Sequence, residues 1–345
     1  MMNMKQTLKL FFLLFQLLTF AFAQDHIYSQ FYNAPSYLNP ALNGQFDGDL
    51  RVNMIYRNQW TGVPGSLNYF TLSTEYNVPQ FGGGFGLLVT NSSEGTAYLK
   101  KLNISGLYSY SIDFDNAVLS FGLQAGFTRR RIDYNKLLFA DQIDPVTGII
   151  PGAVTDASLP VLNNKYFFDA GTGVNFILGD FMIGASAQHI NKPNESFTGL
   201  RSTLPVRVNA HTSYRINLDP YSDDGNSVLI PSLVYYSQAK ESSVSAGFQY
   251  KYRSVNAGLW YRSQQGVKGD ALVVSLIFDI FIRKDYYDKV RFGVSHDATL
   301  SKLQYGSTAG TTEAALNYET TFPGRGGVGE RNNRRSSSKR CYDFY

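Results

Sequence analysis

The stretch LSFGLQAGFT, residues 119–128, alternates apolar side chains with small or polar ones at every position. Successive side chains of a β-strand point to opposite faces, so this stretch predicts a strand with one apolar and one hydrated face. The same alternation recurs in VSAGFQYKYR, residues 244–253, and in LVVSLIFDI, residues 272–280. These stretches predict an all-β protein.

Fourteen segments of the chain follow this pattern. They are residues 49–60, 67–78, 82–92, 96–112, 116–134, 165–178, 180–190, 204–217, 226–238, 242–252, 254–264, 270–283, 286–296 and 308–321. Strands of soluble sheets usually run about five or six residues, whereas a tilted membrane strand needs roughly 9–11. Because most segments reach the longer length, we predict a transmembrane antiparallel up-and-down β-barrel of about 14 strands over residues 49–323.

The connections between these segments alternate in length. If the first strand starts in the periplasm, the periplasmic turns are residues 79–80, 113–115, 179–180, 219–225, 253 and 283–285. The two longest connections, residues 136–164 and 191–203, then lie outside the cell. Bacterial barrels combine an even strand number with short periplasmic turns and longer outer loops, so this asymmetry supports an even count.

The N-terminus carries an export signal. Lys5 and Lys9 precede the apolar residues 10–20, which end in the small-x-small sequence Ala21-Phe22-Ala23. The apolar run is shorter than the roughly 20 residues of a spanning helix. The pattern therefore predicts a signal peptide at residues 1–23, removed to leave Gln24 as the first residue of a periplasmic N-terminal segment, residues 24–48.

Composition agrees with a surface that meets lipid. Charged residues make up 17% of the chain, against about a quarter in soluble domains. The formal net charge of +4 comes from a basic C-terminal tail, residues 324–345, which we predict to be flexible and which holds the single cysteine, Cys341. The rest of the mature chain is close to neutral, which argues against a nucleic-acid partner. Aromatic residues near strand ends fit interfacial girdles: Tyr56, Trp60, Tyr69, Tyr76, Tyr108 and Tyr110.

Residues that could carry chemistry are sparse. The four histidines have no metal-ligand spacing, and the sequence contains no GxSxG motif, so we expect no metal, no cofactor and no enzymatic activity. The glycines at residues 82–84 lack the Lys-Ser/Thr of a phosphate-binding loop, and they fit a hairpin that needs close backbone approach or a bend.

Five short motifs give the chain a family resemblance. They are QDHIYSQFYNAPSYLNPALNG (residues 24–44), YRNQW (56–60), LLFADQ (137–142), KVRFGVSHD (289–297) and EAALNY (313–318). Together they resemble the PorP/SprF outer-membrane proteins of the type IX secretion system of Bacteroidetes. Two features depart from the family pattern: Thr61 stands where proline commonly follows the tryptophan, and the chain ends in CYDFY.

The resemblance implies a non-enzymatic barrel in the outer membrane. It implies as partners the C-terminal signal domains of secreted, adhesin-type cargo, other type IX secretion components of the outer membrane and periplasm, and the lipid bilayer. Under this hypothesis we expect a largely filled lumen, with residues 24–48 packed under or into the barrel. The motif residues expected to serve structure or partner contact are Gln24, Asp25, Ser29, Gln30, Asn39, Pro40, Arg57, Asn58, Gln59, Trp60, Asp141 and Gln142.

Two other functions remain open from the sequence. A channel or transporter for small solutes also has a polar lumen and would conduct in a planar bilayer. An outer-membrane enzyme would show turnover as purified protein. The cargo class, the contacting loops and the role of the tail are not encoded in any motif.

Overall fold

The computed structural model describes residues 25–46, 48–65, 67–95, 99–133, 137–150, 164–197, 201–219, 227–264, 267–283, 288–322 and 344. Fourteen long strands, β1 to β14, form the wall. Their bounds are β1 Leu50–Gln59, β2 Leu67–Val78, β3 Gly83–Glu94, β4 Leu99–Asp113, β5 Ala117–Arg131, β6 Asn164–Leu178, β7 Phe181–Gln188, β8 Arg207–Tyr214, β9 Ser227–Gln238, β10 Glu241–Tyr252, β11 Val255–Gln264, β12 Val267–Arg283, β13 Asp288–Thr299 and β14 Thr311–Thr320.

The wall is a closed antiparallel barrel. Each strand pairs with the next, and β8, continued by Ile216–Asn217, pairs with both β7 and β9. The first and last strands close the ring through ten antiparallel residue pairs, from Leu50 with Thr320 to Gln59 with Thr311. The predicted fourteen-stranded barrel is therefore confirmed.

The two ends of the barrel differ. At the turn end, the strands are joined by the short connections 79–82, 114–116, 179–180 and 253–254, and the chain also enters and leaves the barrel here. At the loop end lie the long connections 132–163, 189–206 and 300–310. The first contains the short helix Ala140–Gln142 and a two-residue hairpin, Ile143–Asp144 with Gly148–Ile149; the third contains the helix Tyr305–Thr308. None of the helices in the described ranges is long and apolar enough to cross a membrane.

Compared with a soluble protein, the strands have the opposite arrangement: their apolar side chains face outward and their polar side chains face inward. In β5 the apolar Phe121, Leu123 and Phe127 face outward and are 45%, 61% and 67% exposed, whereas Ser120 and Thr128 face the lumen and are buried. An apolar face that stays exposed on a folded chain is expected where lipid covers it.

The lumen is occupied by the N-terminal segment. Residues 25–46, which we call the lumen segment, lie inside the barrel and contain three short helices: Phe31–Asn33, Pro35–Leu38 and Pro40–Leu42. Proline opens the last two helices, where its fixed φ and missing N–H are tolerated. The sequence placed residues 24–48 in the periplasm, under or inside the barrel; the structure has residues 25–46 inside it. The segment begins at the loop end, where the Asp25 N–H donates to Gln238 Oε1. Just after the segment, at the turn end, the Asp49 N–H donates to Thr320 O.

Apolar side chains of the lumen segment pack against inward apolar residues of the wall. Phe31, Tyr32, Leu38 and Leu42 belong to one buried cluster with wall residues that include Trp260. Phe344 belongs to the same cluster and is fully buried, and it is the one residue of the predicted tail, 324–345, that the structure describes. The predicted signal peptide, Gln24 and Cys341 lie outside the described residues.

Candidate functional site

Five side chains meet around Ser29 in the lumen. We call them the anchor cluster: Ser29, Arg57, Arg262, Asp297 and Glu313. The Ser29 hydroxyl donates to Asp297 Oδ2 at 2.6 Å and accepts from both arginines, with Arg57 Nη1 at 3.1 Å. Arg57 Nη1 also donates to Glu313 Oε1 at 2.5 Å, and Arg262 Nη1 to Asp297 Oδ2 at 3.1 Å. The cluster thus joins the lumen segment to β1, β11, β13 and β14.

The anchor cluster also fixes the backbone of the lumen segment. The N–H groups of Ser29 and Gln30 both donate to the Glu313 carboxylate, each at 2.8 Å. Two guanidinium groups face two carboxylates, and all four side chains are almost completely buried. Buried charges are tolerated when they are paired and hydrogen-bonded. The cluster therefore holds the segment in one register.

Neutral contacts hold the next part of the lumen segment. The Asn39 amide accepts from Ala41 N–H at 2.9 Å, which caps the helix Pro40–Leu42, and donates to Val174 O at 3.0 Å. A Cβ on Gly122 of β5 would lie 2.2 Å from Ala41 N, and one on Gly173 would lie 2.0 Å from Asn39 Oδ1. Only a wall without side chains at these two positions leaves room for the segment.

The turn end of the lumen segment is also bonded to the wall. The Asn43 amide donates to Gly84 O at 2.8 Å, and Gly44 N–H donates to Glu75 at 3.0 Å. A Cβ on Gly84 would lie 2.7 Å from the Gly44 Cα. The predicted close approach at residues 82–84 is therefore an approach of this segment to β3.

Asp25 holds the loop end of the lumen segment. Its carboxylate is 2.6 Å from Lys101 Nζ and 2.6 Å from His189 Nε2, and it accepts from Gln238 Nε2 at 3.0 Å. His189 Nδ1 lies 2.8 Å from Asp169. We call Asp25, Lys101, Asp169, His189 and Gln238 the clamp.

The clamp shifts the pKa values of its members outside the strands. Burial alone would raise the pKa of Asp25, but Lys101 and His189 outweigh it and hold this pKa well below its usual range. Burial alone would lower the pKa of His189, but Asp25 and Asp169 outweigh it, and the pKa is raised. The raised pKa favours the protonated form of His189, whose two ring nitrogens lie against the carboxylates of Asp25 and Asp169.

Two cavities lie at the loop end, above the start of the lumen segment. The larger has a volume of about 280 Å³ and the smaller about 60 Å³, and both are lined by Asp25, His26 and Arg207. We call the two cavities together the vestibule. The His26 ring stacks on Tyr37 and Tyr69 with centroid distances of 5.0 and 4.2 Å, and burial together with Arg207 lowers its pKa well below the usual range. The vestibule thus combines aromatic walls with a neutral imidazole and charged groups.

The structure brings part of the predicted motif residues together. Asp25, Ser29, Gln30, Asn39, Pro40, Arg57 and Gln59 all face the lumen, and Gln59 Oε1 accepts from Arg57 Nε at 3.3 Å. Trp60 lines the vestibule with a left-handed φ of 58°, and its N–H donates to Gly310 O. Asn58 has the opposite parity in β1 and does not share the lumen face.

The LLFADQ motif lies apart from the lumen. Asp141 is exposed on the short helix Ala140–Gln142 in the loop after β5. Gln142 Oε1 accepts from Phe139 N–H at 3.0 Å and so closes this helical turn. Gln24 lies outside the described residues.

Sequence reasoning missed several residues of this site. Asp297 and Glu313 lie inside the quoted motifs but were not predicted as site residues, and neither were Arg207, Arg262 and Lys101. His189 was assessed only as one of four possible metal ligands. A charge in a membrane strand is costly unless it faces inward and is paired, so the charges in the alternating segments are a usable indication. Tyr69, assigned to an interfacial girdle, instead faces the lumen and is 5% exposed. Its parity with Glu75 in β2 could have shown this.

No group of three or more His, Cys, Asp and Glu side chains in the described ranges is arranged to hold a metal ion. The site is a network of ion pairs and hydrogen bonds that fills a barrel and leaves a polar vestibule at one end.

Solved structures with similar architecture are outer-membrane barrels. Omp33 of Acinetobacter baumannii is 9% identical with a TM-score of 0.42, over 81% of this chain and 100% of that one. The toluene transporter TodX of Pseudomonas putida is 10% identical with a TM-score of 0.43, over 86% and 94%. A FadL homologue of Pseudomonas aeruginosa is 12% identical with a TM-score of 0.42, over 84% and 93%. These similarities concern the barrel architecture alone. No curated protein matches the sequence.

The family model described as "Type IX secretion system membrane protein PorP/SprF" matches residues 20–318, which is most of the chain. This family is one of secretion components and not of enzymes. The chain belongs to the PorP/SprF family, and it is an outer-membrane β-barrel component of the type IX secretion system.

Proposed function

We propose that this barrel receives the C-terminal signal domains of secreted, adhesin-type cargo at its loop end and holds them at the cell surface. Family membership supplies the secretion context. Bacterial barrels have short turns on the periplasmic side and longer loops outside, so we assign the loop end, with its long connections and vestibule, to the outside of the cell. Other type IX secretion components are the expected partners on the membrane and periplasmic sides.

The observation that carries the proposal is the filled lumen. The lumen segment is tied to the wall by the clamp at the loop end, by the anchor cluster below it, and by Asn43 and Gly44 at the turn end. A solute conduit needs a continuous aqueous path, whereas an anchor needs a rigid body with a receiving surface at the outer end. The tied segment favours the anchor.

A channel for small solutes is the second candidate. A polar wall and a cavity of about 280 Å³ at the loop end favour it. It requires that the lumen segment leave the lumen or move within it. Stable single-channel conductance of the purified barrel in a planar bilayer would support the channel, and a closed barrel would support the anchor.

The test is deletion of the chain in its own host. We expect one class of cargo to remain inside the cell, as measured by fractionation and surface labelling, and we expect the full-length chain supplied in trans to restore display. A complemented strain that carries the chain without residues 137–150 tests the loop contribution separately. Unchanged surface display of every cargo in the deletion strain would overturn the proposal.

A further inference from the structure

Arg207 is a buried cation with no ion-pair partner among the described residues. Its side chain is 2% exposed, and no carboxylate oxygen of the described residues lies within 4.0 Å of its guanidinium nitrogens. Four other arginines that face the lumen are each paired with an acid: Arg51, Arg57, Arg262 and Arg291. Asp25 also lines the vestibule, but its carboxylate is paired with Lys101 and His189 in the clamp.

The neighbours of Arg207 orient the guanidinium without neutralising it. Nε donates to Asn209 Oδ1 at 3.0 Å, and Nη1 donates to the Tyr37 hydroxyl at 2.7 Å. The guanidinium carbon lies 5.0 Å from the Tyr37 ring centre and 5.2 Å from that of Tyr236. Cation–π contacts of this kind stabilise a cation by less than the burial of an ion costs.

The remaining guanidinium nitrogen, Nη2, is buried beside the vestibule. Arg207 lines both cavities, and its Nη2 has no hydrogen-bond partner among the described residues. Five other residues that line the vestibule have a buried side-chain atom without a partner among the described residues: His26 Nε2, Gln124 Oε1, Ser243 Oγ, Arg262 Nε and Asp297 Oδ1. The vestibule therefore offers a fixed cationic donor, an anionic acceptor and an imidazole nitrogen.

This arrangement fits a ligand that carries both a negatively charged hydrogen-bond acceptor and a hydrogen-bond donor. A carboxylate complements a guanidinium by charge and by fork geometry. A backbone N–H elsewhere on the same ligand complements Asp297 Oδ1, an unpartnered oxygen of a residue that lines the larger cavity. The aromatic walls formed by Tyr69, Tyr236 and Trp60 suit an apolar side chain beside these groups. A free inorganic anion would use the guanidinium alone.

We propose that the vestibule binds a carboxylate carried on a polypeptide, with Arg207 as its cationic partner and Asp297 as the acceptor for a backbone N–H of the same polypeptide. The inference deepens the proposed function and rests on it, since the polypeptide is then a segment of the cargo domain that enters from the loop end. The carboxylate comes either from a chain terminus or from an Asp or Glu side chain.

Peptide binding to the full-length barrel, purified in detergent from outer membranes, tests the chemistry. The probes are acetyl-Gly-Gly-Phe with a free carboxylate, its C-terminal amide, acetyl-Gly-Asp-Phe amide and inorganic phosphate, each measured by calorimetry. We expect the free-carboxylate tripeptide or the aspartyl amide to bind about tenfold tighter than the uncharged amide, and the tighter of the two identifies the source. Equal binding of the uncharged amide, or phosphate binding as tight as that of both carboxylate peptides, would overturn the inference.

Variants test the role of Arg207. Arg207→Met is expected to weaken carboxylate binding about tenfold or more and to leave binding of the uncharged amide unchanged. The matched control Arg291→Met removes another buried lumen arginine, which pairs with Asp279 at 2.7 Å near the turn end, and is expected to bind the peptides normally. Migration of unboiled samples on gels shows that each variant is folded. If Arg207→Met does not fold, the comparison of carboxylate and amide on the unmodified barrel still decides the inference.

A cellular measurement separates this inference from the proposed function. If deletion of the chain blocks cargo display but folded Arg207→Met displays cargo at the wild-type level, the vestibule site is wrong and the anchoring function stands. If deletion leaves all display unchanged, the anchoring function is wrong. Loss of display in Arg207→Met, with normal display in Arg291→Met, supports both.

Discussion

The two halves of the lumen segment are held by different forces. The half near the loop end, residues 25–30, is held by ionised groups: Asp25 in the clamp, and Ser29 and Gln30 in the anchor cluster. The half near the turn end, residues 39–46, is held mainly by neutral hydrogen bonds and by glycines that leave space for it. Ion pairs thus fix the loop end of the lumen segment, whereas neutral hydrogen bonds and close packing fix its turn end.

The difference predicts how each half fails. A buried ion pair contributes little net stability over a well-packed apolar pair, but the loss of one partner leaves an uncompensated charge. A close-packed contact fails instead when volume is added. Charge substitutions should therefore release residues 25–30, and added methyl groups should displace residues 39–46.

The largest effect is expected for Glu313→Gln in the anchor cluster. This change removes the charge that faces Arg57 and weakens the acceptor for the Ser29 and Gln30 N–H groups. Breaking a buried pair from one side costs about 3–5 kcal/mol. We expect a lower temperature for the heat-induced gel shift and new conductance in planar bilayers as the segment loosens.

The half-buried Glu241 at the loop end provides the control for the Glu313 prediction. It accepts one long hydrogen bond from Gln264 at 3.4 Å. Glu241→Gln should change stability by less than about 1 kcal/mol. A Glu313→Gln barrel as stable and as closed as the Glu241→Gln barrel would show that the loop-end half is not held by charge.

The next effect is expected for Gly122→Ala in β5. The new methyl group would lie 2.2 Å from Ala41 N, so either the segment or the strand must shift. Overpacking of this kind costs about 1–3 kcal/mol. In Gly106→Ala, on the outward face of β4, the nearest atom lies 3.9 Å away, and we expect no loss. A lower transition temperature for the first variant alone checks the prediction; equal temperatures would contradict the tight fit.

The wall was predictable from sequence because its pattern is local. Alternation with period two and the lengths of the connections depend on neighbouring residues, and they gave fourteen strands with bounds close to those observed. The inward direction of each face also follows from parity, which was not applied to Tyr69.

The site was less predictable because its members are distant in sequence. Ser29 meets Asp297 across a separation of 268 residues, and Asp25 meets Gln238 across 213. Such contacts depend on closure of the barrel and on entry of the segment into it, neither of which leaves a periodic pattern. The resemblance pointed to Ser29 and Arg57 as separate motifs but gave no reason for Arg207 or Arg262.

A smaller effect is expected from pH, at the clamp. The pKa of His189 is raised in the folded state, so its contribution is complete below its unfolded value of about 6.5 and is lost as the pH rises through the folded value. The pKa of His26 is lowered by burial, so the unfolded chain takes up a proton below about pH 6.5 that the folded chain refuses, and stability falls as the pH falls. Asp25, with its lowered pKa, loses its contribution only below about pH 4.

The directions of these pKa shifts predict that the barrel is most stable at about pH 6.5. The temperature of the gel shift, measured between about pH 5 and about pH 9, should fall on both sides of it. His189→Gln should flatten the alkaline side, and His26→Gln should flatten the acid side. An alkaline slope that is unchanged in His189→Gln would assign it to groups outside the clamp.

The smallest effect on stability is expected at Asp141, which belongs to neither half of the segment. Its side chain is exposed on the loop after β5, and no hydrogen bond or ion pair within the described part of the chain involves its carboxylate. Surface substitutions of this kind change stability by less than about 0.5 kcal/mol. Asp141→Asn should therefore leave the gel shift and the closed lumen unchanged.

The same variant sharpens the distinction between holding the segment and receiving a partner. Gln142, the next motif residue, has a local role because it closes the helical turn, whereas Asp141 has none visible in the fold. If Asp141 contacts a partner, cargo display should fall in Asp141→Asn while the barrel stays intact. Gln142→Ala should lower both display and loop order, the latter seen as faster proteolysis of the loop. Normal display in Asp141→Asn would show that the Asp141 carboxylate contributes neither to the fold nor to partner contact. Partner recognition would then be limited to the vestibule and to other loops.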